Sequence, residues 1–126
     1  MIKKILSIIV LSFLFSGNAF ANCIEGDCIN GNGKLTFVDG SEYIGKFKNG
    51  MRHGYGTINY SNGAKFEGNF VDNQKQGLGT AIFLDGTKII VNYQESLAHG
   101  EGTIYFPDGS INKGIFNKGK VKLIND

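Results

Sequence analysis

Two cysteines and two histidines have the widest chemical repertoire in this 126-residue chain. Cys23 and Cys28 lie near the N-terminus, whereas His53 and His99 lie much further along the sequence. A zinc site takes about four such ligands, and a catalytic cysteine needs a histidine beside it. The sequence groups neither set, so we expect no catalytic residue, no metal site, no cofactor and no small-molecule substrate. Pairing in space between distant residues stays open at this stage.

The histidines belong to a periodic position of the chain. Asn30, His53, Gln76 and His99 recur at one constant interval, and each stands directly before a Gly-x-Gly sequence. All four side chains can form hydrogen bonds, which favours a structural role over catalysis or metal ligation. Because each Gly-x-Gly precedes a predicted strand rather than a helix, it does not match a nucleotide-binding loop.

Glycine follows the same period. All seventeen glycines after residue 30 fall into five positions of a 23-residue repeat, although Val91 interrupts one series. One of these positions holds the turn glycines Gly40, Gly63, Gly86 and Gly109. Such regular spacing predicts an internal repeat of small structural units.

Each unit is predicted to be a β-hairpin with a three-residue turn. Asp-Gly or Asn-Gly between apolar segments is a strong hairpin signal. It occurs in Val38-Asp39-Gly40, Ser61-Asn62-Gly63, Leu84-Asp85-Gly86 and Pro107-Asp108-Gly109. The fixed φ of Pro107 suits the second position of a type I turn, with the glycine left-handed after it. The predicted fold is therefore all-β: an elongated, twisted single antiparallel sheet of about four tandem β-hairpins.

This turn places large apolar side chains on one face of the sheet. Leu35 then opposes Tyr43. Gly33 opposes Gly45, and such opposed glycines leave room for rings from neighbouring strands. The predicted repeat core consists of Phe37, Tyr43, Phe47, Tyr60, Phe66, Phe70, Phe83, Tyr93, Phe106 and Phe116.

The opposite face changes character along the chain. It is interpreted as polar in the first two copies. In the last two copies it gains apolar residues that form a candidate interface: Ile82, Ile90, Tyr105, Ile111 and Ile115. Apolar residues on the uncovered side of a single sheet suggest a partner, a ligand or the chain tail as cover. The alternatives are scattered surface residues without a role, or a tail that folds back through Val121, Leu123 and Ile124.

The N-terminal segment 1–21 has the three-part layout of a secretory signal peptide. Lys3 and Lys4 precede an apolar run at residues 5–15, and a small-residue site ends at Ala21. The run is shorter than the roughly twenty residues of a membrane-spanning helix. We therefore expect cleavage after Ala21 and an exported protein, periplasmic or extracellular.

Export bears on the cysteines and on the charge. Thiols outside the cytoplasm tend to oxidise, which predicts a disulfide between Cys23 and Cys28. Asn22 stands where lipid attachment to Cys23 would need a small residue, which argues against a lipoprotein.

Lys3 and Lys4 are two of the thirteen basic residues, so the processed chain has eleven basic and eleven acidic side chains. Its net charge is near zero, and we expect no nucleic-acid partner. The lysines Lys113, Lys118, Lys120 and Lys122 make only the C-terminal end locally basic.

The repeated sequence resembles the MORN motif (membrane occupation and recognition nexus). The copies YIGKFKNGMRHGYGTINYSNG and FEGNFVDNQKQGLGTAIFLDG carry the pattern, which Tyr43, Gly45, Phe47, Gly54, Gly56 and Thr57 match in order. The predicted repeats are 31–53, 54–76, 77–99 and 100–119. A Cys-containing cap at 22–30, similar to that of bacterial members, precedes them, and a tail at 120–126 follows. Ile89, Val91 and Asn112 depart from the pattern.

The resemblance implies a non-catalytic protein that acts as a protein-interaction, dimerisation or scaffolding surface. A protein partner or self-association is the main expectation. Association with a membrane surface or phospholipid is the second reading, suggested by the family name and the basic tail and opposed by the neutral charge. Binding of cell-wall glycan is the third, weakened by the absence of Trp.

Overall fold

A computed structural model describes residues 21–124, so the predicted signal peptide, apart from Ala21, lies outside the described residues. The described residues form eleven strands. They are β1 (Ala21–Gly26), β2 (Asn32–Phe37), β3 (Glu42–Lys48), β4 (Met51–Asn59), β5 (Lys65–Val71), β6 (Gln74–Ile82), β7 (Lys88–Gln94), β8 (Leu97–Ala98), β9 (Gly100–Tyr105), β10 (Ile111–Asn117) and β11 (Lys120–Leu123).

All eleven strands belong to one antiparallel sheet. Its order follows the chain from β1 to β7 and continues with β9, β10 and β11, while the short β8 pairs with β7. Each strand in this path lies beside the one before it, with only β8 bypassed. The prediction of an all-β fold built from tandem hairpins in a single sheet is therefore confirmed.

The four Asp-Gly or Asn-Gly segments form three-residue turns. In the first, Phe37 donates its N–H to Ser41 at 2.8 Å, and Gly40 donates to the Phe37 carbonyl at 3.0 Å. The carboxylate of Asp39 accepts a further hydrogen bond within the turn, from the N–H of Ser41 at 2.9 Å. The turn glycines have φ of 92° to 95°, a conformation that disfavours any residue with a β-carbon.

A second series of tight turns, which sequence analysis did not identify, joins each hairpin to the next. These turns are Asn49-Gly50, Asp72-Asn73, Glu95-Ser96 and Lys118-Gly119, and both residues of each have positive φ. That conformation is the type I′ turn of a two-residue hairpin. The second residue of each turn donates its N–H to an earlier carbonyl, that of Ile29, Arg52, Lys75 or Ala98. The first turn is thereby bound to the N-terminal cap, and each later turn to the preceding repeat.

Aromatic rings on the packed face lie over pairs of opposed glycines. Gly45 on β3 pairs with Gly56 on β4, and a Cβ added to Gly56 would collide with the ring of Tyr43. Phe66 occupies the same position over Gly68 and Gly79 one repeat later. The glycines therefore supply the space in which each ring packs.

The rings also contact one another in an unbroken row. Tyr43 packs edge to face with Phe47 and Phe70, and Phe66 packs in the same way with Phe70 and Tyr93. Ring centres in these pairs are 5.1 to 5.6 Å apart, within the range that aromatic pairs prefer. The row joins strands β3, β5 and β7 into one core.

Gly56→Ala should lower the free energy of unfolding by about 1 to 3 kcal/mol, because the new methyl group forces the Tyr43 ring or the backbone to shift. Urea denaturation measures the change. The control is Tyr55→Ala on the same strand, where the side chain is 56% exposed and the expected loss is below about 0.5 kcal/mol. Equal losses for the two variants would contradict the packing of ring on glycine.

Candidate interaction surface

The residues predicted as the repeat core lie on the packed face. Eight of the ten are buried, while Tyr60 and Phe106 are partly buried and pack against them. Val91, where the glycine series breaks, is buried as well, and its side chain occupies the space over Gly102. Since this face is occupied by the protein itself, the opposite face and the two sheet edges are left for a partner.

Two cations are buried among these rings, and sequence analysis did not identify them. Arg52 is 3% exposed, and its guanidinium lies 5.5 Å from the centre of the Phe37 ring and 5.7 Å from that of Phe70. It donates to the side-chain oxygen of Asn73 at 3.2 Å and to the Asn73 carbonyl at 3.0 Å. Burial lowers the pKa of Arg52 from its ordinary value.

Lys75 takes the equivalent place one repeat later. It is 3% exposed, and its amine lies 4.4 Å from the centre of the Phe66 ring. The amine donates to the hydroxyl of Tyr60 at 2.8 Å. None of the ion pairs within residues 21–124 involves Lys75 or Arg52. The sequence does carry a signal for them, since both occupy the same position of the 23-residue repeat. The alternation of side chains along a strand assigns that position to the packed face.

The five candidate interface residues lie on the outer face of β6, β7, β9 and β10, and we call them the outer patch. Tyr105 on β9 pairs with Ile111 on β10 and, on its other side, with Lys88 on β7. Ile90 lies two residues beyond Lys88 on β7 and pairs with Thr103. Ile111 and Ile115 are 58% and 42% exposed, whereas Ile82, Ile90 and Tyr105 are half-buried. Ile90 is a diagonal neighbour of both Ile82 and Tyr105, whereas Ile115 lies two residues beyond Lys113 and pairs with Glu101.

Charged side chains lie within the outer patch as well as beside it. Lys88 stands between Ile82 and Tyr105 in the cross-strand row, and its amine lies 5.1 Å from the centre of the Tyr105 ring. Lys113 lies between Ile111 and Ile115 on β10 and forms an ion pair with Glu101 at 3.8 Å. The patch is therefore a group of apolar side chains interspersed with charges of both signs.

Two expectations about the outer face need correction. The alternative in which the tail folds back over it is wrong, because β11 extends the sheet beside β10 and Val121 packs against the core. Val121 points inward since it pairs with Phe116. The outer face of the first two copies is also less polar than expected, because Ile44 and Tyr55 are exposed there.

The N-terminal cap is held by a disulfide. Cys23 on β1 and Cys28, in the turn before β2, are bonded with an S–S distance of 2.11 Å. Cys28 is partly buried and packs against the core. The disulfide thus closes the loop between β1 and β2 inside the cap, and the contact of Cys28 with the core joins the cap to the repeats.

The periodic position before Gly-x-Gly joins neighbouring turns. The Asn30 side-chain oxygen accepts the N–H of Asn49 at 2.9 Å, and that of Gln76 accepts the N–H of Glu95 at 3.4 Å. At these two copies the side chain has a structural role at the type I′ turn. Residues 21–124 contain no group of three or more His, Cys, Asp or Glu that could hold a metal ion. Within the same range, no helix is long and apolar enough to cross a membrane.

Comparison with known families identifies the repeat. The MORN repeat model matches residues 29–42, 43–65, 66–88 and 92–111, which together make up more than half of the chain. Its second and third units begin at Tyr43 and Phe66 on the aromatic strands, whereas the predicted repeats begin at Gly-x-Gly. No curated protein matches the chain.

Proposed function

Since the chain belongs to the MORN-repeat family, we propose that it is a non-catalytic, exported protein whose outer patch binds a protein partner. MORN repeats are generally modules of protein or membrane interaction. Membership of the family thus implies a binding role. Our proposal adds the surface that binds, which is the outer patch, and the type of partner, which is a protein.

The observation that carries the proposal is the grouping of apolar side chains in the outer patch. They come from β6, β7, β9 and β10, and Ile111, which pairs with Tyr105, is 58% exposed. Apolar area removed from water contributes about 25 cal/mol per Å². Apolar side chains combined with a smaller number of polar and charged ones are also the composition of many protein interfaces. Lys88, Lys113 and Glu101 would orient the partner on the patch.

A peripheral membrane role is a second candidate, and the C-terminal end of the sheet favours it. Lys120 and Lys122 line an open groove together with Ile115 and Ile124. Lysines beside apolar side chains can hold an anionic lipid surface. The near-zero charge of the processed chain weakens this candidate relative to the first.

Export is supported by the layout of the N-terminal segment 1–21 and by the bonded pair Cys23 and Cys28. Disulfides persist mainly in oxidising compartments. We therefore infer that the protein acts in the periplasm or outside the cell.

The double variant Tyr105→Lys, Ile111→Lys should lose its partner. Chemical crosslinking in the native envelope fraction should give one defined product with the wild-type protein. The variant should reduce the yield of that product at least about tenfold, because placing unpaired charges in an apolar interface costs more than about 1.4 kcal/mol.

The matched control makes the same two changes elsewhere on the outer face, as Tyr55→Lys with Ile44→Lys. This control should crosslink as the wild type does. A crosslink that survives in the patch variant, or that fails equally in the control, would remove the outer patch from the proposal. Flotation with anionic vesicles, carried out on the same proteins, tests the peripheral membrane role. That role requires the protein to float with the vesicles at low salt.

The purified product of the full-length gene should begin at Asn22 and should lack two hydrogens relative to the reduced chain. The cause is cleavage after Ala21 followed by oxidation of Cys23 and Cys28. Intact-mass spectrometry before and after reduction measures both. Ala21→Asp is the control that should block processing, because cleavage needs a small residue there. A wild-type product that keeps the segment 1–21 would contradict export by this route.

A further inference from the structure

Lys75 lies where several strands of the packed face meet. From β6 its amine reaches the Tyr60 hydroxyl beyond the end of β4 and the Phe66 ring on β5. The ring of Tyr93 on β7 has its centre 5.6 Å away. The Lys75 backbone is also tied to the next turn, because its N–H donates to the Ser96 hydroxyl and its carbonyl accepts the Ser96 N–H, both at 3.1 Å. One side chain thus contacts elements of neighbouring repeats.

The surroundings of the amine favour its neutral form. Ring faces attract a cation, but a buried ion without a carboxylate partner loses more by leaving water. Arg52 adds a like charge nearby. Burial first, and the charge of Arg52 second, lower the pKa of Lys75 from 10.5 to about 7.

The other groups that face Lys75 keep their protonation state in the neutral range. On β4, Arg52 remains a cation. On β7, burial raises the pKa of Tyr93. Tyr43, which lies near Arg52, has its pKa raised to about 12, chiefly by burial. Tyr60 supplies the hydroxyl partner, and Phe66 does not titrate. Lys75 is therefore the group in this cluster that changes charge near neutral pH.

We propose that Lys75 is a pH-sensitive joint at the centre of the sheet, where the binding of one proton weakens the packing of strands β4 to β7. The neutral amine stays among the rings with its hydrogen bond to Tyr60. The ammonium ion in the same place needs water or an anion, and the described residues bring no carboxylate to it. Protonation therefore favours local opening of the central strands over the closed packing.

The direction of the effect follows from linkage. In the unfolded chain Lys75 has its ordinary pKa of 10.5, so between about pH 7 and 10.5 the unfolded state binds a proton that the folded state lacks. Stability should therefore fall as the pH is lowered through this window and level off below it. Above about pH 10 the trend reverses, because the raised pKa values of Tyr43 and Tyr93 keep these groups protonated longer in the folded state.

The joint and part of the outer patch share strands β6 and β7. β6 carries Lys75 inward and Ile82 outward, and β7 carries Tyr93 inward and Ile90 outward. Acidification would then loosen the strands that present the patch and weaken partner binding. This last consequence rests on the proposed function, whereas the stability effect itself requires no partner.

Urea denaturation between about pH 7.5 and 9.5 tests the joint on the protein as it is purified. The unfolding constant of the wild type should rise with each unit of acidification, by at most about tenfold for one linked proton. Lys75→Met should remove this dependence. Lys88→Met is the matched control, since Lys88 also lies over an aromatic ring but on the exposed face, and it should keep the wild-type dependence.

A direct titration keeps the proposal testable if Lys75→Met does not fold. In the wild-type protein labelled with ¹³C-lysine, one amine signal should titrate near pH 7, far below the others. Lysine signals that all titrate near 10.5 would overturn the proposal. So would a flat wild-type profile, or a pH dependence that persists in folded Lys75→Met. Because these readouts need no partner, failure to find a partner for the outer patch would leave them unaffected.

Discussion

The packing of an aromatic ring over a pair of opposed glycines is the contact on which this sheet depends. A single sheet has no second layer to cover its apolar face, so its rings must lie along the sheet rather than stand away from it. Gly56 provides the space for Tyr43, and Gly79 provides it for Phe66. Each ring starts on one strand and covers a glycine on the next strand. The same contact therefore packs the ring and couples one repeat to the next, as expected of a linear stack of repeats.

The buried side chains of Arg52 and Lys75 also help to cover the apolar face of the single sheet. Long side chains can cover apolar surface along their methylene stems while the charged end finds other contacts. Arg52 and Lys75 do so at one position of the repeat, where the first unit matched by the family model has Ile29 and the last has Ala98. These two long basic side chains are thus confined to the interior units. The centre of the sheet packs around them, whereas a disulfide closes the N-terminal cap and Val121 packs at the other end.

The fold could be predicted from the sequence because its main determinants are local and repeated. Asp85-Gly86 and Pro107 specify turn geometry within three residues, and the register of the packed face follows from it. Two of the type I′ turns, Asp72-Asn73 and Glu95-Ser96, contain no glycine, although all four residues have positive φ. In these two turns the pairing of the flanking strands imposes a positive φ that the residue types do not predict. Asn49-Gly50 does carry a turn signal, but without its counterparts in the next two copies it did not stand out as part of a series.

The candidate site was predicted only in part for a related reason. Alternation along a strand assigns Ile90 and Tyr105 to the outer face, but it does not show that both are half-buried by their neighbours. Arg52 and Lys75 were missed because charged side chains are ordinarily exposed. Each lies two residues before Gly54 or Gly77 and so on the same, packed face, and this position on the strand outweighs residue type when rings are present to pack against the long side chain.

The two edges of the sheet indicate why a partner would approach a face instead. β1 contains a register irregularity between Cys23 and Glu25 and is tied down by the disulfide. β11 is only four residues long and carries Lys120 and Lys122. Irregularities, short strands and lysines are the features by which proteins prevent the addition of foreign strands at an edge. With both edges protected and the packed face filled, the outer face remains. Its apolar side chains are grouped most closely on β6 to β10, where Ile82, Ile90, Tyr105 and Ile111 lie.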